Sequence, residues 1–415
     1  MSAGSALNFR QRIRLFISVV GPGLVVMLAD TDAGSLITAG QSGAQWGYKL
    51  LALQFILMPI LYITQELTVR LGLVTGMGHA ELIKNQFGTF WAWVSVTTLC
   101  ISCIGALISQ LSGLRGIAGL FGIPGGAMMA CVIAFLILIA WTGSYRSVEL
   151  VAMAFGLFEL VFLYVAWKAH PNAAELGQGL FTTAFDDPQY LFLTAANIGA
   201  VIMPWMVFYQ QSAILDKKLD INHLKLARWD TAIGAVITQL IMASVLMATA
   251  ATIYQSNNPT ALNTVGQMSH ALTPFLGKTT GVVLFAIGMT GAALVATIVV
   301  TCTAAWALGE LLGYKRSLRD RPSEAPWFYI VYTAVLVIAG IIVSCPINLV
   351  SLMVSVDVMN ALLLPIVLGF LYLLACQSLP AAYRLKGTYA WVIGIILLTM
   401  VIFGVIAGLL GIFYS

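Results

Sequence analysis

Long apolar runs constrain this chain more than any other feature of its sequence. About eleven such runs follow one another, separated by short polar or Gly/Pro-containing segments. A helix that spans a bilayer needs about 20 mostly apolar residues, and only helices or closed barrels satisfy their backbone hydrogen bonds in lipid. Charged residues make up 9% of the chain, whereas a soluble domain carries about a quarter. The sequence therefore predicts an all-α polytopic membrane protein, with the lipid bilayer as its surroundings.

The predicted spans are numbered one to eleven in chain order. Two short surface helices are also predicted, near residues 79–90 and 262–276. The spans fall near residues 16–41, 48–73, 91–120, 126–142, 147–168, 189–213, 226–254, 279–312, 326–345, 348–376 and 389–413.

The positive residues are distributed unevenly between the two sides of the membrane. Cytoplasmic loops of membrane proteins are enriched in Lys and Arg, which predicts a cytoplasmic N-terminus and an external C-terminus. Because these cations lie in separate loops, the net charge of +4 does not indicate a nucleic-acid partner. The side predicted to be external carries Lys49, Lys168 and Lys278, and the side predicted to be cytoplasmic carries Arg10, Arg12, Arg14, Lys84, Arg146, Lys217, Lys218, Lys315, Arg316, Arg319, Arg321, Arg384 and Lys386.

Spans one and six are each interrupted near their middle. Residues 29–35 read Ala-Asp-Thr-Asp-Ala-Gly-Ser, and residues 199–204 read Gly-Ala-Val-Ile-Met-Pro. Breaks at corresponding positions of two five-helix halves are typical of inverted-repeat transporters, whose substrate site lies at the breaks. The alternative is a proline kink in span six and an unrelated polar patch in span one. We predict one domain over residues 1–415, with repeats near 16–168 and 189–376 and an extra span near 389–413.

Asp32 is the strongest single indication of a cation site. A carboxylate at mid-bilayer depth costs at least ~2.5 kcal/mol on insertion scales, and neither broken span holds a central Lys or Arg. A cationic substrate is therefore the expected partner. Where helices unwind, the freed carbonyls of Ala29 and Ala200 become oxygen ligands. Asp30 is predicted as a second ligand or a gate residue, and Ser35 as a hydroxyl ligand or the anchor of a water molecule.

Two further residues are candidate ligands with equally plausible structural roles. Asp357 in span ten is either a third carboxylate of the site or a structural acid bonded to a neighbouring polar group. Several carboxylates around one cavity suit a hard divalent cation. Met203 either donates its thioether, which favours softer transition metals, or packs.

Other acids of the spans are read differently. Glu66 and Glu149 lie near Arg70 and Arg146 and are predicted to form anchoring salt bridges, whereas Glu159 lies deeper and has no assigned role.

The quoted segments resemble the NRAMP divalent-metal transporters. Residues 21–23 (Gly-Pro-Gly), 32–35 (Asp-Ala-Gly-Ser) and 41–48 (Gln-Ser-Gly-Ala-Gln-Trp-Gly-Tyr) are similar to the first helix of that family, and residues 199–204 to its sixth helix. The resemblance implies a LeuT-like fold of five plus five inverted helices and an eleventh, with helices 1 and 6 discontinuous. It also implies a metal site formed by Asp32, the carbonyls of Ala29 and Ala200, and Met203, and places the chain in a prokaryotic inner membrane.

The chain departs from the family pattern at several positions; in the family, the His of helix six and the acids of helix three are implicated in proton movement. Ser35 and Ala33 stand where the family has Asn and Pro, Trp205 replaces a His, and Asp357 replaces a Gln. Residues 105–111 of span three (Gly-Ala-Leu-Ile-Ser-Gln-Leu) hold no titratable group where the family has acids. This pattern resembles the NRAMP-related magnesium transporters.

The sequence thus predicts a transporter, not an enzyme, without a cofactor or an obligatory protein partner. The expected substrate is Mg²⁺, with Mn²⁺ also carried, and transport is expected not to require protons. The main alternative is a proton-coupled Mn²⁺/Fe²⁺ importer whose proton route runs through Asp30 or Asp357. A membrane sensor is a less favoured alternative, because it would need a soluble signalling domain and the sequence predicts none. An amino-acid transporter is disfavoured because Asp32 would repel a substrate carboxylate.

Overall fold

The computed structural model describes residues 19–142, 144–254, 261–272, 276–345 and 348–414. Nine helices of this described chain are long and apolar enough to cross a membrane, and the broken first span and the shorter apolar helix Gly125–Ala140 complete the predicted eleven. The spans, in order, are Pro22–Asp30 with Ala33–Trp46, then Leu51–Thr75, Thr89–Leu120, Gly125–Ala140, Tyr145–Ala169, Pro188–Asp216, Leu224–Thr252, Lys278–Leu312, Pro326–Val343, Leu349–Gln377 and Gly387–Tyr414.

The observed boundaries differ from the predicted ones by a few residues at most ends. The surface helix after span two is shorter than predicted, His79–Phe87, because Gly88 ends it with a positive φ of 91°. The second predicted surface helix is Val265–Leu272. A third short helix, Ala173–Leu180, was not predicted because its alanines and glycines show no apolar run. Arg10, Arg12 and Arg14 lie outside the described residues.

The two broken spans lie inside the bundle. Span seven packs against both halves of span one, and the first half of span six packs against spans ten and eleven. Span six is the most buried of the nine long helices, whereas spans five and eleven are among the least. This arrangement removes both breaks from lipid, where non-helical backbone would lose its hydrogen bonds.

Span six and span ten touch backbone to backbone at Gly199. A Cβ atom at this position would lie 1.8 Å from the carbonyl oxygen of Asp357 and 2.7 Å from the nitrogen of Ala361. Only a residue without a side chain permits this approach. Gly199 therefore brings the acid of span ten next to the break in span six.

The end of the bundle predicted to be cytoplasmic is held by ion pairs. Glu66 pairs with Arg70 at 2.5 Å, as predicted, and also with Arg228 at 2.6 Å. The prediction for Glu149 was wrong, because its partner is Lys217 at 2.8 Å and not Arg146. Lys217 is brought to Glu149 by the end of span six, a contact that the local sequence around Glu149 does not indicate.

Candidate metal centre

The break in span one consists of two residues. Helix Pro22–Asp30 ends before Thr31, and Ala33–Trp46 begins after Asp32. Asp32 is extended (φ −74°, ψ 177°) and its carboxylate accepts the Ser35 backbone N–H at 2.7 Å, which is the usual role of Asp at a helix N-cap. The N–H of Ala33 donates to Gln110 Oε1 at 2.9 Å. The amide that would continue the helix onto the Ala29 carbonyl is therefore used elsewhere, as the freed-carbonyl prediction requires.

The break in span six has a different cause. Helix Pro188–Val201 ends before Ile202, and Pro204–Asp216 begins after Met203. Because proline has no N–H, residue 204 cannot bond to the carbonyl of Ala200, four residues earlier. The Ser35 hydroxyl donates to this carbonyl instead, at 3.0 Å. The two breaks are thus joined directly by one hydrogen bond.

Two carboxylates converge beside the break in span one. Asp32 Oδ2 accepts Gln110 Nε2 at 2.5 Å, and Asp357 Oδ2 accepts the Thr38 hydroxyl at 2.6 Å. A Cβ atom built on Gly34 would lie 3.3 Å from Oδ1 of Asp32 and 3.3 Å from Oδ1 of Asp357. The Ser109 hydroxyl lies nearer still, at 2.6 Å from the same point. One oxygen of each carboxylate and this hydroxyl therefore lie around one small space, into which Gly34 projects no side chain of its own.

Asp30 adds a third buried acid. Its side chain is 1% exposed, and neither carboxylate oxygen has a hydrogen-bond partner among the described residues. It lies close enough to Asp32 and Asp357 to interact with their charges. None of the ion pairs in the described part of the chain includes any of these three acids. A group of acids without a basic neighbour, deep in a membrane bundle, is suited to a cation.

Met203 lies at the break in span six, but its sulfur is already engaged. The indole N–H of Trp205 donates to Met203 Sδ at 3.1 Å. Both side chains are buried, with 1% and 0% exposure. The thioether is a weak acceptor, so this bond directs the Trp205 ring toward the sulfur and occupies part of its capacity to bind a metal.

The structure thus brings together the predicted residues Asp32, Ser35, Ala200 and Asp357, with Ala29, Asp30 and Met203 at the adjoining breaks. Within the described residues, no group of three or more His, Cys, Asp or Glu side chains is arranged as a metal site by itself. A metal here would have to take backbone carbonyls and hydroxyls as well as carboxylates.

Sequence reasoning missed Gln110, Thr38 and Gly34. Gln110 lies in span three and was not predicted because it carries no titratable group. A neutral amide in the middle of an apolar run was the available signal for it. Thr38 could have been found one helical turn beyond Ser35 on the same face, but its partner on span ten follows only from the packing.

At the end of the bundle opposite the ion pairs, polar side chains continue the stripe formed by Ser35 and Thr38. Gln41 bonds to both backbone groups of Leu262: it accepts the N–H at 3.0 Å and donates to the carbonyl. A cavity of about 160 Å³ lies here, lined among others by Gln41, Gln45, Gln189, Asn263 and Ser351. The polar stripe therefore leads from the acids toward this end.

A helical bundle in which two centrally broken helices meet at a buried site is typical of LeuT-like membrane transporters. The structure resembles the Eremococcus coleocola manganese transporter, solved with an aromatic bis-isothiourea compound, with a TM-score of 0.77, 19% identity and coverage of 100% of this chain and 91% of that one. It also resembles a Na⁺-coupled sialic acid symporter, with a TM-score of 0.59, 16% identity and coverage of 94% and 89%. At these identities the likeness shows the fold.

The chain belongs to the Nramp family, because the model described as "Natural resistance-associated macrophage protein-like" matches residues 23–410. A relative from Bradyrhizobium diazoefficiens, "Divalent metal cation transporter MntH", is 28% identical over 300 residues, or 69% of this chain and 66% of the relative, slightly under two thirds of its length. A protein of the same name from Chromohalobacter salexigens is 27% identical over 316 residues, covering 72% of each chain. The predicted family and fold are confirmed.

Proposed function

We propose that this protein carries divalent metal cations, Mg²⁺ and also Mn²⁺, into the cell by alternating access and without obligatory proton coupling. The observation that carries the proposal is the pair of carboxylate oxygens, one of Asp32 and one of Asp357, that lie around the same small space beside the two helix breaks. No Lys or Arg of the described chain neutralises either acid. The substrate cation supplies the missing positive charge.

The ligand atoms favour a hard cation. The carboxylates of Asp32 and Asp357 and the carbonyls of Ala29 and Ala200 are all oxygen donors, which Mg²⁺ and Mn²⁺ prefer. The Ser35 hydroxyl, which donates to the Ala200 carbonyl, anchors a water of the ion. We assign Asp30 to the outer part of the site, where its unpartnered oxygens attract the ion. Because Mg²⁺ keeps several waters when it binds, hydroxyl and amide groups of the site have a role in holding those waters.

Manganese enters the proposal through relatives as well as through ligand chemistry. Two relatives are named divalent metal cation transporters, and a protein of the same fold is named a manganese transporter. Mn²⁺ accepts carboxylate, carbonyl and water ligands, so one site can take both ions. The bacterial relatives also support a place in a prokaryotic inner membrane.

Proton coupling through the family route has no groups to use in this chain. Gln110 of span three cannot change its protonation state, and it is already bonded to Asp32. Trp205, which follows the Met-Pro pair, donates a hydrogen bond but does not titrate. Uptake is then driven by the ion's own gradient and by the membrane potential.

One observation favours a second candidate, a proton-coupled Mn²⁺/Fe²⁺ importer. Asp30 is buried with both oxygens unpartnered, and a proton is one way to make such a group tolerable in a membrane. In this alternative a proton bound at Asp30 or Asp357 moves with the metal.

Flux into proteoliposomes that contain a pH-sensitive dye separates the two candidates. We expect Mg²⁺ and Mn²⁺ to enter without a matching acidification, and protein-free liposomes provide the control. Acidification in proportion to metal entry would reject the uncoupled mechanism and favour the alternative. Titration calorimetry with Mg²⁺, Mn²⁺ and Cd²⁺ tests the ligand set, because tight Cd²⁺ binding requires the Met203 thioether.

A further inference from the structure

Glu159 is a fully buried acid that the proposed transport mechanism does not use. It lies in a short 3-10 turn, Leu157–Leu160, that interrupts span five between its two α-helical parts. Irregular turns inside a helix often accompany a functional residue. The Glu159 side chain reaches the break in span one, where its Oε2 is hydrogen-bonded to the hydroxyl of Thr31, the residue directly before Asp32.

If Glu159 were ionised, the hydroxyl groups around it would not have enough hydrogens to donate to every acceptor. The Thr31 hydroxyl has one hydrogen but two acceptors, the Leu28 carbonyl at 3.0 Å and Glu159 Oε2. Thr238 of span seven lies 3.4 Å from the Thr31 oxygen, but its own hydrogen is directed to the carbonyl of Met27. If Glu159 were ionised, either it or the Leu28 carbonyl would lose its donor.

A proton on Glu159 resolves this shortage. The acid O–H then donates to Thr31, Thr31 donates to the Leu28 carbonyl, and Thr238 donates to Met27. The second oxygen of Glu159 has no partner among the described residues. A bare oxygen is tolerated far better in a neutral acid than in a buried carboxylate.

The charges around Glu159 are consistent with a neutral acid. The groups that act on it electrostatically are acidic, Asp32 and also Asp30. Span seven places Thr238 beside Thr31. Span eight packs against the turn that holds Glu159 and has no Asp, Glu, Lys, Arg or His between residues 279 and 309. The ion pairs of the described chain do not include Glu159. Another negative charge would add to a cluster that already lacks a cation of its own.

We propose that Glu159 holds a resident proton and is a positioning residue of the metal centre. The protonated acid fixes Thr31, and Thr31 fixes the turn that presents Asp32 and the Ala29 carbonyl to the metal. The proton stays bound while the metal moves, so the site needs no proton flux. This inference rests on the proposed transport of a divalent cation and adds the residue that keeps one broken helix in register.

Glu159→Gln tests the charge state of this residue, because the amide keeps a donor for Thr31 but cannot ionise. We expect calorimetric Mn²⁺ affinity and Mn²⁺ uptake of the full-length E159Q protein to stay within about twofold of the original values. If Glu159 were ionised, the same change would remove a negative charge close to the ion and weaken Mn²⁺ binding at least tenfold. Such a weakening would overturn the proposal.

Glu159→Leu removes the proposed hydrogen-bond donor, and Thr31→Val removes the hydroxyl that accepts its hydrogen bond. Both are expected to lower uptake at least tenfold, with E159Q as the rescued counterpart at the same position. If E159Q and E159L were equally active, Glu159 would have no positioning role. Thermal unfolding of each purified variant identifies a protein that has merely failed to fold.

Infrared spectroscopy gives a readout that does not depend on transport. The difference spectrum between the original protein and E159Q should contain the carbonyl stretch of a protonated carboxylic acid, and it should persist when Mn²⁺ is added. If that band is absent, or disappears with Mn²⁺, no resident proton exists. If the original protein neither binds nor carries Mn²⁺, the proposed function fails while the infrared measurement still tests Glu159.

Discussion

The two helix breaks are stabilised in different ways. The break in span one is held by side chains: the Asp32 cap, the hydrogen bonds that Gln110 accepts from Ala33 and donates to Asp32, and the contact of Thr31 with Glu159. The break in span six results from a missing donor, because Pro204 has no N–H that could bond to the Ala200 carbonyl. Span one therefore supplies charge and orientation, whereas span six supplies a neutral oxygen and a sulfur that is already bonded. Affinity for the ion should depend mainly on span one.

The largest expected difference is between Asp32→Ala and Met203→Ala. Each of these residues is the N-cap of the second half-helix of its span. Asp32→Ala removes a carboxylate that faces the ion and is expected to nearly abolish Mn²⁺ uptake in proteoliposomes. Met203→Ala should reduce uptake far less, because its sulfur is partly occupied by Trp205. Equal losses in the two variants would refute the division of roles, and unchanged transport in Asp32→Ala would remove that residue from the site.

Asp357→Asn should produce the next largest effect. The amide keeps an oxygen for the Thr38 hydroxyl but removes a charge beside the ion, so we expect Mn²⁺ affinity to fall by more than tenfold. Calorimetry measures the change directly. Should affinity stay the same, Asp357 would be the structural acid that the sequence left open as its alternative role.

Pro204→Ala tests whether the break in span six depends on the missing N–H of proline. Alanine restores a donor that competes with Ser35 for the Ala200 carbonyl, and we expect several-fold slower uptake. Pro365→Ala in span ten is the matched control, since this proline lies within a continuous helix and lines an apolar crevice with Trp391 and Tyr372. A slowing of the same size in both variants would point to general helix effects.

Ser35→Ala should have the smallest effect of the series. It removes one neutral hydrogen bond, worth about 1 kcal/mol, so Mn²⁺ affinity should fall by roughly fivefold. Ser35→Cys has a weaker hydrogen-bond donor, so its Mn²⁺ affinity should lie between those of the original protein and Ser35→Ala. A complete loss of binding in Ser35→Ala would mean that the hydroxyl coordinates the ion directly.

The sequence was sufficient to predict the spans and both breaks, because bilayer length and the positions of Asp and Pro are local properties. The breaks proved narrower than predicted: the first helix continues through Ala29 and Asp30, and the sixth through Gly199 and Ala200. Capping by Asp32 and the missing N–H of Pro204 each limit the disturbance to about two residues.

Partnerships between distant segments could not be predicted. Gln110 is 78 residues from Asp32, and Glu159 is 128 residues from Thr31. Such pairs depend on which faces of separate helices meet, and that is a property of packing rather than of local pattern. The exchange of Arg146 for Lys217 as the partner of Glu149 has the same cause.

Lys217 links the ion-paired end of the bundle to the start of span one. Its ammonium group donates to the Val20 carbonyl at 2.6 Å and also pairs with Glu149. In the transport cycle proposed above, we expect opening toward this side to separate the first half of span one from the end of span six. Each cycle would then break and re-form the contacts of Lys217 with Val20 and Glu149. We therefore expect Lys217→Gln to alter uptake velocity while the half-saturating metal concentration stays constant, because the residues proposed to bind the ion lie deeper in the bundle.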